Sequence, residues 1–129
     1  MRDPAEAGQS TVEAALALPL LLMALVGAVQ FALVHHARAV TTSATVEGAR
    51  VAAVEGGSPL VGAERTRALL AAGLGRTGQA FVVTLEDRGE TVASSAVGTY
   101  PLFIPWVQRL DYPIRAVAEV RKEGFRRGP

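Results

Sequence analysis

The feature that most constrains this chain is an uncharged apolar segment close to its N-terminus. From Ala14 to Val34 no side chain is charged, and the run is interrupted only by Pro19, Gly27 and Gln30. A helix needs about 20 apolar residues to cross the roughly 30 Å hydrocarbon core of a bilayer. This segment is long enough, so the sequence predicts a membrane-spanning helix over residues 14–34.

The composition limits what can accompany such a helix. With 129 residues, the chain holds one membrane helix and one small domain. The formal net charge is only +1, so we expect no nucleic-acid partner. The chain has no cysteine, which excludes disulfides, cysteine-ligated zinc and thiol catalysis.

No pattern typical of catalysis or cofactor binding is found. The glycines of residues 73–78 come nearest to a phosphate-binding loop, but they follow a predicted helix and indicate a helix end. His35 and His36 are adjacent, so they lie roughly 100° apart on a helix and are poorly placed to share a metal. We therefore expect no enzyme, no cofactor, no metal and no small-molecule substrate, with both histidines at the membrane interface.

One acid stands directly before the apolar run, five residues after a glycine. A charged residue costs on the order of 2.5–3.5 kcal/mol near the centre of a membrane helix and less at its edge. Glu13 therefore indicates that this segment has a functional role. Gly8, five residues before it, is a second residue that this role would explain. The structural alternative is a helix N-terminus, with Glu13 favoured by the macrodipole and Ser10 or Thr11 as the cap.

The order Gly8, Gln9 and Glu13, followed by a long apolar helix, resembles the N-terminus of type IV prepilins. The sequence of residues 8–22 is more narrowly similar to the TadE-like family of pseudopilins, found in tight-adherence pilus systems. In that family a membrane prepilin peptidase cuts after the glycine. The resemblance implies a leader of residues 1–8, a mature N-terminus at Gln9 and Glu13 as the acid of the mature chain.

The same resemblance implies the partners and the mode of assembly. The partners are the prepilin peptidase, other pilins or pseudopilins, an inner-membrane assembly platform and the lipid bilayer. Paired with the Gln9 amine of a neighbouring subunit, the Glu13 carboxylate would set the axial register between subunits. Small residues at helical spacing are suited to close packing in lipid, although an alanine-rich chain produces the same spacing by chance. These residues are Ala24, Gly27, Ala28 and Ala32.

Beyond the membrane segment, helix formers continue to a stop at Gly56 and Gly57. The sequence predicts a long helix within residues 9–55, starting near Thr11, with Val40, Ala44, Val51 and Val54 as a loose apolar face.

Residues 56–129 are predicted to form an extracytoplasmic α+β domain. Ser58 and a first-turn proline predict a second helix over about residues 59–74. Alternating apolar residues then predict strands over residues 80–86, 90–99 and 112–121, the first two joined by a turn at 87–89. We expect a pilin-like fold in which the long helix and the second helix cover a small antiparallel sheet of about three strands.

The segment 100–110 is apolar and marked by two prolines, Pro101 and Pro105, which argue against a regular central strand there. Phe103, Ile104 and Trp106 are expected in the core, because the domain has few other aromatic residues. The alternative is an exposed patch that meets a partner or the membrane surface.

These expectations define a minor pilin or pseudopilin-like component of a tight-adherence pilus, or of a secretion apparatus, with a possible role in cell adhesion. It would cross the cytoplasmic membrane once, with its N-terminus inside. The leader departs from the usual basic pattern, because Asp3 and Glu6 outnumber Arg2, so this orientation rests on the family likeness. The alternative is an uncleaved signal-anchored protein whose outer domain binds an envelope ligand or a protein.

Overall fold

The computed structural model describes residues 4–105 and 109–124. Within them the elements are α1 (Pro4–Ala53), α2 (Pro59–Gln79), β1 (Val82–Asp87), β2 (Thr91–Leu102) and β3 (Leu110–Arg121). The predicted α+β fold is confirmed, with a long first helix, a second helix and an antiparallel sheet of three strands. By its internal contacts the chain divides into two compact units, an N-terminal unit that ends at Leu33 and a C-terminal unit that begins at Val34.

The N-terminal unit is the first part of α1, and this helix begins earlier than the sequence predicts. It starts at Pro4, whose fixed φ suits the first turn of a helix, and it runs without a break through Pro19. The structural alternative in which Ser10 or Thr11 caps the helix is therefore wrong. Thr11 lies inside the helix, where its Oγ1 donates a hydrogen bond to the carbonyl of Ala7 at 2.9 Å.

The C-terminal part of α1 packs through small residues rather than through the valines that the sequence suggested. Of the predicted apolar face only Ala44 is fully buried, and Val54 is 48% exposed. The physical reason is that small residues, including two glycines, let α2 approach α1 closely. The buried residues of α1 are Ala37, Thr41, Ala44, Thr45, Gly48, Ala49, Ala52 and Ala53.

Two glycines permit the closest approach of α1 to α2. A Cβ built on Gly62 would lie 2.5 Å from the Gly48 carbonyl oxygen and 2.7 Å from Cβ of Ala52. A Cβ built on Gly48 would lie 2.8 Å from the Gly62 carbonyl oxygen and 1.8 Å from Oγ1 of Thr66. The two helices are thus in backbone contact at this pair of residues.

The connection between the helices follows the predicted signals. Gly56 adopts a positive φ of 80° after the end of α1. Ser58 is the N-cap of α2 in extended backbone, where its Oγ accepts from the N–H of Val61 at 3.3 Å, and Pro59 occupies the first turn. The predicted cap is confirmed. The helix continues past the expected end to Gln79, because a non-helical turn at Gly75 (φ 58°) joins a last short segment to it.

The sheet has the order β1-β2-β3, and both neighbouring pairs are antiparallel. The predicted turn between β1 and β2 is present: Gly89 has φ 85°, and its N–H donates to Oδ1 of Asp87 at 2.9 Å. The inward face packs on the helices through a cluster that includes Leu70, Phe81 and Ile114. Phe81 lies over the backbone of Gly98, where an added Cβ would be 2.3 Å from the ring.

The strand predicted to end at Thr99 continues through Pro101 to Leu102, but at Pro101 it is not a central strand. The Thr91 carbonyl accepts from Arg88 on the β1 side, so by the alternation of an antiparallel ladder the odd-numbered residues of β2 point their backbone groups toward β1. Pairing with β1 ends at Val97. The missing N–H of Pro101 therefore falls where the strand has become an edge, which tolerates proline.

The two ends of the C-terminal unit are fixed to opposite ends of its α1 segment. At one end the N–H of Glu123, just after β3, donates to the carbonyl of Ala53 at 3.0 Å. At the other end the Arg38 guanidinium donates to the Tyr112 hydroxyl and lies over the ring, with Cζ 5.0 Å from its centroid. We call these the Ala53 end and the Arg38 end. The end of β2 and the start of β3 lie at the Arg38 end, and the β1–β2 turn lies at the Ala53 end.

Candidate processing and assembly segment

Gly8 lies on an exposed turn of α1, and nothing around it requires a glycine. A Cβ built there would meet no atom within 4 Å, and Gly8 is not among the glycines with a positive φ. A helical glycine costs roughly 0.5–1 kcal/mol relative to alanine. Neither packing nor backbone geometry in the described chain explains why this position is not occupied by alanine.

Glu13 is exposed on α1, in the same helix as Gly8. Within the described residues no cation contacts its carboxylate. Because α1 begins at Pro4, Glu13 is beyond the first turn, where the macrodipole acts, and the acid of that turn is Glu6. Gln9 precedes Glu13 by four residues, and this spacing places two residues on the same face of a helix.

The rest of the N-terminal unit exposes its apolar surface. Leu16, Leu20 and Phe31 are 67%, 68% and 75% exposed, and no residue of the most apolar window of α1 is buried. By length and composition this is a helix that can cross a membrane. An apolar surface of this extent belongs in lipid or against a partner. The small residues predicted to pack in lipid, Ala24, Gly27, Ala28 and Ala32, are all exposed on it.

The remaining predicted site residues lie in the C-terminal unit. Phe103 is 70% exposed, so the expectation that it fills the core is wrong for this residue. Ile104 is half-buried, and Trp106 lies outside the described residues. His35 and His36 are both exposed at the start of the C-terminal unit. Within the described part of the chain, no cluster of three or more histidine, aspartate or glutamate residues could hold a metal.

A groove of about 690 Å³ lies between α1 and α2, on residues 39–47 and 65–73. Its lining is mostly small and apolar, and Glu47 and Arg65 are the charged side chains in it. Ser43 is the one hydroxyl among its described lining residues, and no histidine is among them.

Asp87 is the one described residue whose pKa is clearly displaced. The Lys122 ammonium, 2.5 Å from Oδ2, and the backbone N–H of Gly89 hold the pKa of Asp87 below its ordinary value of 3.8. These residues close the Ala53 end of the sheet together with Arg88, which lies 3.4 Å from Glu86. The arrangement is an exposed network of charges, as is common around a hairpin turn.

Two features of the structure were missed by sequence reasoning. The contact of Gly48 with Gly62 leaves only a weak signal, because single glycines inside helical patterns are common. The contact of Arg38 with Tyr112 joins residues 74 positions apart, and no local pattern predicts it.

Comparison with known proteins supports the resemblance found in the sequence. No curated protein and no solved structure matches the chain. The model of the TadE-like protein family matches residues 8–50, which begin at Gly8 and include most of α1. The predicted resemblance to the TadE-like family is therefore confirmed over residues 8–50.

Proposed function

We propose that this chain is a minor pilin or pseudopilin-like component of a tight-adherence pilus or a related secretion apparatus. The family match associates it with a structural, pilus-related class of proteins. In the proposal the chain crosses the cytoplasmic membrane once with its N-terminus inside, loses residues 1–8 to a prepilin peptidase, and assembles through α1. The C-terminal unit supplies contacts outside the membrane.

The observation that carries the proposal is the unexplained glycine at position 8. Its side-chain position is open and its backbone is not strained, so folding does not require it. Glycine does let another backbone approach closely and lowers the local stability of a helix. Both properties help a protease, which must unwind the helix and seat the peptide bond between Gly8 and Gln9 in its active site.

Cleavage there would produce the partner that Glu13 lacks. The new amine of Gln9 is a cation within one helical turn of Glu13, so subunits side by side could pair the amine of one with the carboxylate of the next. The attraction between these two charges offsets the cost of removing them from water only when they are well aligned. The pair would therefore fix the axial register between subunits more than it would stabilise the assembly. The exposed small residues of α1, Ala24, Ala28 and Ala32, would let neighbouring helices approach each other.

The processing step is tested by co-expressing the full chain with a tight-adherence prepilin peptidase. We expect the wild type to be shortened and Gly8→Leu to remain at full length. Gly27→Leu is the matched control, because Gly27 is also an exposed glycine of α1 with open space around its Cβ position. This control should be shortened like the wild type. Normal shortening of Gly8→Leu would contradict the proposal.

One observation favours the alternative of an uncleaved signal anchor. The structure continues α1 without interruption from Pro4 through Gly8 into the apolar segment, so residues 4–8 form one helix with it. In that case residues 1–8 would stay attached, and the C-terminal unit would act by binding a ligand or protein in the envelope.

A further inference from the structure

The sheet has an outer face, which points away from the helices. Alternate residues of a strand point to opposite faces, and Val83, Val92 and Ile114 are buried on the side of the helices. Their neighbours along each strand point the other way, and no described helix or strand covers them. Two rows of directly paired residues cross this outer face, Val82–Val97–Arg115 and Thr84–Ser95–Val117.

These rows form an exposed apolar patch beside a single cation. Val82 and Val117 are 67% and 60% exposed. The Arg115 guanidinium makes no ion pair or hydrogen bond with any described residue. By contrast, Arg88 and Arg121 of the same sheet and its turn are each paired with a glutamate. An apolar surface patch that contains an arginine is typical of a protein contact surface.

The exposed face of α2 carries the matching features. Leu60, Glu64 and Ala68 follow one another at i, i+4 spacing, with Val61 beside them, so they share one face of the helix. All four are exposed, Leu60 to 68%. This face lies opposite the one on which Thr66 is buried. Glu64, like Arg115, makes no ion pair or hydrogen bond within the described chain.

The two faces are complementary in charge and in polarity, because each sets one unpaired charge among apolar side chains. We propose that the exposed face of α2 in one copy binds the outer sheet face of a second copy, with Glu64 paired to Arg115. Burial of the leucine and valines supplies affinity. The pair of guanidinium and carboxylate forms charge-assisted hydrogen bonds, which fix the orientation of the two copies.

The contact joins two different surfaces of the same unit. The exposed face of α2 points away from the sheet, and the outer sheet face points away from α2, so a copy that uses one surface still offers the other. Such a heterologous contact repeats in one direction and forms a ring or an open filament. The inference deepens the proposed function, on which it rests, by naming the contact that the C-terminal unit supplies between subunits.

The test uses two differently tagged copies of the full chain, expressed together with the complete pilus system. The chain has no cysteine, so Ala68→Cys in one copy and Val97→Cys in the other place single thiols on the two faces. Mild oxidation of isolated membranes should then link the two copies. In the control for chance collisions, Glu123→Cys, at an exposed position after β3, replaces Val97→Cys.

We expect at least fivefold more linked pairs from Ala68→Cys with Val97→Cys than from the control. Glu64→Arg in the first copy, or Arg115→Glu in the second, should lower this yield at least threefold, because like charges then meet. Both changes together restore opposite charges and should recover the yield, which a folding defect in either variant would not allow.

Linking no stronger than the control, in membranes where the chain is cleaved and co-isolates other pilus subunits, would overturn this inference alone. Full linking by either single charge variant would overturn it as well. A chain that is neither cleaved, nor linked, nor co-isolated with pilus subunits would refute the proposed function and, with it, this contact.

Discussion

At the scale of single residues, the account depends on a glycine and an acid that the fold does not use. Gly8 fills no tight space, and Glu13 has no cation among the described residues. Both sit in a helix whose exposed surface is otherwise largely apolar up to Leu33. A charge left in such surroundings is expensive unless it acquires a partner, so the pair is better explained by processing and assembly than by stability.

We predict that Glu13→Ala is inserted and cleaved but no longer assembles. Removing the carboxylate leaves the new Gln9 amine of the neighbouring subunit without a counter-charge, so the register between subunits is lost. The measurement is the amount of other pilus subunits co-isolated with the tagged chain from detergent-solubilised membranes, which should fall at least tenfold. Glu13→Asp keeps the charge and should retain part of the assembly. Undiminished co-isolation with Glu13→Ala would count against the register role.

A second residue-scale prediction concerns pH and the contact of Asp87 with Lys122. Because the folded-state pKa of Asp87 is lowered, its stabilising contribution is fully present above the unfolded value near 3.9 and is lost as pH falls through the folded value. Denaturation in detergent should show Asp87→Asn less stable than wild type between about pH 5 and 7. The difference should shrink below about pH 4, as the wild-type carboxylate is protonated.

Lys122→Met supplies the control for this prediction. In that background the ammonium that chiefly lowers the pKa is absent, so Asp87→Asn should have a smaller effect at neutral pH. An Asp87→Asn effect that is unchanged in the Lys122→Met background would show that the contact with Lys122 is not its cause.

At the scale of elements, the C-terminal unit is organised by the contact between α1 and α2. Small residues on α1 let α2 approach until the backbones of Gly48 and Gly62 touch. The sheet then covers the helix pair, and Leu70 of α2 is fully buried between them. Close approach replaces bulky side chains as the means of filling this small core, which suits a chain with only 5% aromatic residues.

We predict that Gly62→Ala destabilises the C-terminal unit by about 1–3 kcal/mol, the usual cost of overpacking. The added methyl would lie 2.5 Å from the Gly48 carbonyl oxygen, and backbone cannot move aside as a flexible side chain can. Unfolding of the full chain in detergent, followed by circular dichroism, gives the free energy. Gly27→Ala, where the added methyl meets no atom within 4 Å, should leave that unfolding unchanged. Equal stability of Gly62→Ala and the wild type would refute the close contact.

Much of this element structure follows from local sequence signals. Ser58 with Pro59 predicted the start of α2, and the turn at Gly89 predicted the first hairpin. Local patterns could not predict features that depend on which other elements pack beside a residue. Proline is tolerated at position 101 because β1 has already ended, and small residues are buried in α1 because α2 approaches closely. Gly8, Gln9 and Glu13 could be proposed as a site from the sequence because their spacing is local, whereas the contact of Arg38 with Tyr112 joins residues far apart in sequence.

At the scale of the whole molecule, each unit corresponds to one part of the proposed function. The unit up to Leu33 is an exposed apolar helix with the proposed processing residues at its start, and it is suited to the membrane and to the proposed subunit packing. The unit from Val34 is a small α+β domain with its own hydrophobic core. The match to the TadE-like family spans both, since it covers residues 8–50. This combination is what a membrane-assembled pilus subunit requires.

The most direct test of this account is the intact mass and N-terminal sequence of the native protein, purified from membranes of cells that express the complete pilus system. We predict a mature chain that begins at Gln9, with residues 1–8 absent. A native protein that still begins at Met1, or that begins near Ala37 or Arg38 after removal of the apolar segment, would contradict the central claim.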